Sequence, residues 1–361
     1  MLTAEGCQAR RRRLLEKLKP TGPLVLADPL HLRYFANCYV DPFSLGADFG
    51  ALLQVRPDGG TTLFHDHRLP KSVEACFIDQ REPVKWYDGV SPGDGPRRMV
   101  LRPILEALGT GNRIHDSLTD PDVESLFAVT SELRRRKDDD EVSLISSCCR
   151  VAEAGFAWAR SNVKAGMTEL DIYNGVFAAC SHHANQAVIV YGDFAVSPGS
   201  KKRGGSPTNH VLANGETLIL DYSVILQGYR SDFTNTLVVG GQPTAEQKKL
   251  FDLCVLAMTA GERHLRAGVH GREVYNAVRD VFKDAGVADA FPHHAGHGLG
   301  LSHPEAPFLV KQSLEALVSG DVVTLEPGLY VDNVGGIRIE HNYLVTETGC
   351  ERLSQHVISL T

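Results

Sequence analysis

The stretch Leu218 to Val239 constrains this chain more than any other. It reads as two β-rich runs separated by Gln227-Gly228, the composition of a hairpin turn, and each run carries an aspartate. A hairpin symmetric about Leu226 and Gln227 sets Asp221 directly opposite Asp232, with Cβ atoms about 5 Å apart. Two like charges at that separation destabilise a sheet unless something cationic lies between them, and a metal ion would meet the need. The alternative is that both aspartates flank a tight turn or face solvent, as most aspartates do.

Further groups of the same chemical kind lie downstream. Ala295 to Pro307 reads A-G-H-G-L-G-L-S-H-P-E-A-P, where the glycines let the backbone approach whatever His297 touches. His293, His294 and His303 accompany it. Glu326 in V-V-T-L-E-P-G-L-Y and Glu340 in G-G-I-R-I-E-H-N-Y-L-V are acids in apolar settings, where an unpaired charge is costly. Arg338, two residues before Glu340 and on the same face of a strand, supplies a salt-bridge explanation for Glu340, whereas Glu326 has no nearby cation in sequence.

Composition sets the outer limits. Of 361 residues, 43% are hydrophobic and 22% charged, as in ordinary globular proteins. The 37 Lys and Arg against 44 Asp and Glu leave a net charge of -7, which repels a phosphate backbone or an anionic membrane, so neither is expected as a partner. The one basic cluster, Arg10 to Arg13, sits among Leu14, Leu15 and Leu18 at helical spacing and reads as a solvated helix face. No run approaches the roughly 20 apolar residues of a membrane span, and the Arg-rich start lacks the apolar core of a signal peptide, so a cytoplasmic protein is expected. Eight cysteines without a C-x-x-C pair read as buried reduced thiols rather than a zinc ribbon or a redox motif.

Residues 1–130 alternate short apolar runs (Leu24 to Ala27, Ala51 to Val55, Thr61 to His65) with helical stretches, the pattern of a small α/β domain. The charge run Ser131 to Glu141 suits a linker, which places the junction near residue 130 and a second α+β domain over 131–361. There the spacing predicts helices near 138–163, 168–184, 244–267 and 271–285. Strands are predicted near 187–191, 217–225 and 229–239, and mostly strand and turn follow Phe291.

Taken together, Asp221, Asp232, His297, Glu326 and Glu340 resemble the five-ligand set of the pita-bread metallopeptidases, which include methionine aminopeptidase, aminopeptidase P, prolidase and creatinase. The carrying motifs are Asp221 followed eleven residues later by S-D-x-T-x-T, then G-H-G-x-G, E-P-G-x-Y and R-I-E, which are specific jointly rather than singly. E-L-R-R-R-K-D-D-D-E-V and the later A-G-M-T-E are similar to signatures of the prolidase and aminopeptidase P branch. That branch implies a creatinase-like N-terminal domain ahead of a pita-bread catalytic domain, and a homodimer. The resemblance implies that Asp232 and Glu340 bridge two divalent metals, that Asp221 chelates one, and that His297 and Glu326 complete the other's sphere. An oxygen-rich set with one imidazole suits manganese, cobalt, iron or zinc. By the same resemblance Glu326 shuttles a proton, His293 and His303 bind substrate and the developing oxyanion, and His210 is the candidate for an upstream substrate histidine.

The implied function is hydrolysis of the Xaa-Pro bond of dipeptides or short peptides. The sequence departs from the family pattern where Tyr222-Ser223 follows the first aspartate instead of x-Gly, and where Asn235 stands for the Arg of T-R-T. A further departure is Pro304, which occupies the seventh place after His297 where a His is usual, with His303 in the sixth. A creatinase-like or ectoine-hydrolase-like enzyme acting on a small non-peptide amide is the second reading, and a catalytically silent binding protein on the same fold is the third.

Overall fold

The computed structural model describes residues 1–43, 50–68, 73–93, 95–108 and 113–361, without the side chain of Arg98. The chain divides into two units, Met1–Arg134 and Arg135–Thr361. The first contains α1 (Ala4–Leu18), β1 (Leu24–Leu26), α2 (Pro29–Ala36), β2 (Ala51–Val55), β3 (Thr61–Asp66), β4 (Gln80–Val84), α3 (Arg102–Ala107) and β5 (Ile114–His115), with α4 (Val123–Arg135) reaching the junction. Its five strands form one mixed sheet in the order β4-β3-β2-β1-β5.

The basic run on α1 is not a solvated face. Arg10 and Arg11 are buried, and their guanidinium groups donate to the carbonyls of Tyr34 and Phe35 in the last turn of α2. A helix end leaves carbonyls without partners, and a buried end needs donors brought from elsewhere. Arg12 alone behaves as expected, exposed and 4.0 Å from Glu16.

The second unit contains α5 (Asp139–Asn162), α6 (Glu169–Ala184), β6 (Ile189–Val196), β7 (Thr217–Leu226), β8 (Tyr229–Arg230), β9 (Phe233–Val238), α7 (Ala245–Glu262) and α8 (Gly271–Asp284). Seven strands follow: β10 (Gly296–Gly298), β11 (Glu305–Leu309), β12 (Val322–Leu325), β13 (Gly328–Val331), β14 (Gly335–Arg338), β15 (His341–Val345) and β16 (Cys350–Arg352). Helix starts follow local chemistry: Thr168 and Asp171, and again Thr244 and Gln247, exchange side-chain and backbone hydrogen bonds as capping boxes. The helix predicted to run to 267 stops at Glu262, where His264 and Leu265 turn back onto the carbonyls of Gly261 and Glu262. Residues of α7 and α8, among them Cys254, Met258, Val274, Val278 and Phe282, share a core with Val323, Leu325, Tyr343 and Val345 of β12 and β15. Among the described residues no helix is long and apolar enough to cross a membrane, and no cysteine forms a disulfide.

The hairpin that carries both aspartates differs from expectation in register. Gln227 (φ 50°) and Gly228 (φ 89°) are the two turn residues, both left-handed as a primed hairpin turn requires. Asp221 therefore pairs with Thr234, not Asp232. The shift is two residues, and an even shift keeps side chains on the same face, so Asp232 still shares a face with Asp221. The second strand is also broken, with Ser231 and Asp232 lying between β8 and β9.

The alternation of faces organises the unit. Tyr222, Phe233 and Phe194 point towards α5, where the Phe156 ring lies 4.6 Å from Tyr222 and 5.2 Å from Phe233. The odd positions of β6 and β7, Tyr191, Asp193, Asp221 and Ser223, turn to the opposite face and line a cavity.

His356 completes the aromatic side, 4.8 Å from Phe156 and 4.4 Å from Phe233 between ring centroids, with Nε2 donating to the Thr234 carbonyl at 3.1 Å. Burial lowers its pKa from 6.5 to about 4. A group held neutral in the fold but protonated when unfolded loses stability as pH falls, here from about 6.5 to about 4 and by about 3 kcal/mol. His356→Gln, which retains an N–H donor but takes no proton, is expected to lose less unfolding free energy than the wild type between pH 7 and pH 4 in denaturant titrations. Parallel losses would refute a buried neutral His356.

Candidate functional site

The cavity on the polar face has a volume of about 530 Å³, and all five acids and imidazoles singled out as metal ligands line it. Asp221 comes from β7 and Asp232 from the break before β9. His297 lies on β10, Glu326 follows β12, and Glu340 sits between β14 and β15. One carboxylate oxygen each from Asp221, Asp232 and Glu340 lie within 4.8 Å of one another. The same spacing groups Asp232 with His297 and His303, and Glu326 with His293 and His294.

Such a concentration of acids resists full ionisation. Burial first, then the charges of Asp232, Asp193 and Glu326, push Asp221 up to about 7 against the opposing pull of Arg338. Burial and the neighbouring carboxylates raise Glu340 well above its ordinary range. Its Oε2 accepts from the Thr234 hydroxyl at 2.6 Å, while Oε1 is buried with no hydrogen-bond partner among the described residues. Glu326 differs: burial opposes its charge, but His294, His297 and His293 outweigh burial and hold it well below the usual carboxylate range.

Arg338 does not pair with Glu340. Its Nη2 lies 2.6 Å from both Asp193 and Asp221, the directly opposed pair of β6 and β7. A guanidinium, rather than a metal alone, thus relieves the cross-strand repulsion at Asp221. Glu340 is left without a cation among the described side chains. The sequence carries a signal for Asp193 as well, an acid inside the apolar run I-V-Y-G-D-F-A-V, of the same kind as marks Glu326 and Glu340.

The histidines divide by partner. His297 directs Nδ1 to the carbonyl of Gly298 at 3.0 Å, so Nε2 faces Asp232 and Glu326, each at 3.6 Å. Gly296 and Gly298 serve the sheet, since a Cβ on either would lie 2.1 Å from the Thr324 carbonyl oxygen or 2.2 Å from that of Ala306. His303 Nε2 stands 2.7 Å from Asp232, which raises its pKa against the effect of burial. His294 Nδ1 is 3.2 Å from Glu326. His293 meets the His294 carbonyl and the Tyr330 hydroxyl, and burial lowers its pKa to about 4. His210 is not among the lining residues, because its exposed ring is 3.0 Å from both oxygens of Glu216.

Residues 143–347 match the model of metallopeptidase family M24. The chain belongs to metallopeptidase family M24. An uncharacterized peptidase of Staphylococcus aureus is 30% identical over 340 residues, 92% of this chain and 94% of that protein. An uncharacterized peptidase of Staphylococcus haemolyticus is 34% identical over 230 residues, 62% of this chain and 64% of that protein, so the match spans less than two thirds of that relative. Among solved structures, an Xaa-Pro dipeptidase from Bacillus anthracis superposes over 99% of both chains with a TM-score of 0.79 at 23% identity, a likeness of fold. The architecture of this M24 chain is accordingly the pita-bread fold. At two of its departures from the family pattern, Ser223 donates to Asp232 at 3.2 Å, and Asn235 turns away to Ser359.

Proposed function

We propose that this M24 chain is a dinuclear metal-dependent hydrolase that cleaves the Xaa-Pro amide bond of dipeptides or short peptides. The observation that carries the reading is the set of four carboxylates and His297 lining one cavity, with Glu340 Oε1 buried and lacking a hydrogen-bond partner among the described residues. A buried carboxylate oxygen without a donor is costly, and an oxygen-rich donor set of this kind fits hard or borderline divalent cations. Asp221, Asp232, His297, Glu326 and Glu340 would hold them. Bound metals would polarise the substrate carbonyl and lower the pKa of water.

The remaining chemistry belongs to side chains. Glu326, kept as a carboxylate by its imidazole neighbours, takes a proton at Oε1 and returns it to the departing nitrogen. His303 offers an N–H beside Asp232 to the carbonyl oxygen as charge develops there, and His293 stands against the Tyr330 hydroxyl to orient substrate. Arg203 lines the cavity with an exposed side chain and is the cation suited to a free C-terminal carboxylate. That group favours dipeptides over long chains.

Gly-Pro, Ala-Pro and Met-Pro, an Xaa-Pro tripeptide, creatine and ectoine, each assayed with Mn, Co and Zn, separate the readings. Cleavage between Xaa and Pro is expected, with dipeptides preferred. Hydrolysis of creatine or ectoine with every proline peptide intact would replace the peptidase reading by that of a small-amide hydrolase. His303 in the sixth place after His297, with Pro304 in the seventh, is the observation that keeps this second reading alive.

A further inference from the structure

We propose that Asn342 is a positioning residue that fixes the backbone of Asp232, and thereby sets the affinity of the carboxylate group for divalent cations. The inference rests on the metal reading above.

The break between β8 and β9 creates the need. Ladder pairing covers Ile225 with Arg230 and Tyr222 with Phe233, leaving the peptide groups of Asp232 outside it. Asp232 is buried, and buried backbone groups require partners. Asn342 supplies both: its Oδ1 accepts from the Asp232 N–H at 3.1 Å, and its Nδ2 donates to the Asp232 carbonyl. A side-chain amide offers the one acceptor and one donor that a neighbouring strand would have presented.

Asn342 is itself buried and bonded on both sides. It is fully buried on β15, pairs with Thr324 of β12, and donates its own N–H to the Ser354 hydroxyl at 3.1 Å while Leu353 donates to its carbonyl at 2.8 Å. The Cys149 thiol lies 3.5 Å from the same Oδ1. Glu340 stands two residues earlier in the chain, and its N–H donates to the Thr234 carbonyl at 3.0 Å. One short segment thus supplies a carboxylate to the cluster and locks the main chain of the acid it faces. Cation affinity depends on ligands being held in place before the ion arrives, and partners that orient ligands typically govern 10- to 100-fold in affinity.

The test is titration of chelator-stripped wild type, Asn342→Ala and Asn342→Asp with Mn²⁺ by calorimetry, alongside denaturant unfolding without metal. Ala removes both bonds, whereas Asp retains the shape but sets an oxygen against the Asp232 carbonyl. Both variants are expected to bind Mn²⁺ about 10- to 100-fold more weakly per folded molecule. Unchanged affinity with a lower unfolding midpoint would make Asn342 merely structural and overturn the proposal. A wild type that binds no Mn²⁺ would instead remove the metal reading beneath it. Should both variants fail to fold, amide exchange in the wild type decides. The Asp232 N–H is expected to exchange as slowly as that of Leu220 in the neighbouring strand, and fast exchange would overturn the clip.

Discussion

Replacing Asp232 by alanine is expected to leave a folded protein that holds fewer than one metal ion per chain and turns over at least about 1,000-fold more slowly, because several kcal/mol of charge stabilisation depart with the cations. Asp232 is common to two of the candidate ligand groupings, one with Asp221 and Glu340 and one with His297 and His303. Losing it should therefore disable both metal positions, whereas losing a peripheral ligand would disable one. The cation-free fold should not suffer in proportion, since the substitution removes one negative charge from a cluster whose mutual repulsion raises Asp221 and Glu340. Metal analysis after dialysis, paired with circular dichroism, checks both halves. A metal content equal to the wild type would exclude Asp232 as a ligand.

The strands and helices of the second unit were legible because their signals are local. Thr168 and Thr244 announce helix starts through residues three positions on, and the apolar run of β7 is continuous because both of its faces are covered. Register was less legible. Whether a turn centres on Leu226-Gln227 or on Gln227-Gly228 depends on the φ values those residues adopt, and the two alternatives change the partner of Asp221 while leaving its face unchanged.

The acids and imidazoles of the site were legible for a different reason: charge in an apolar context demands an explanation, and order along the chain matched a known pattern. Their partners were not. Arg338 and Glu340 are two apart, but β14 ends at Arg338 and β15 begins at His341, so the alternation expected of one strand fails between them. Arg338 instead meets Asp193, 145 residues away. Arg10 and Arg11 misled in the same way, because the carbonyls they serve belong to the end of another helix.

Glu326→Gln is expected to keep the fold and most of the metal while lowering kcat by about 100- to 10,000-fold, the range a positioned proton carrier typically contributes. The side chain is suited to that duty by its surroundings. Thr324 donates to its Oε1 at 3.2 Å, and His294 and His297 approach the same atom at 3.2 and 3.6 Å. These groups keep it ionised and so able to take a proton when water attacks. Glutamine preserves the volume and one oxygen for Thr324 and a cation, but its amide neither accepts a proton nor returns one to the leaving nitrogen. The loss should fall on kcat, with KM for an Xaa-Pro dipeptide within a few-fold of the wild type, because Arg203 and His293, the binding groups proposed above, are untouched. Stopped assays at saturating substrate, with metal content measured on the same sample, provide the check. Near-normal turnover with metals bound would strip Glu326 of the proton-transfer role and leave it a ligand only.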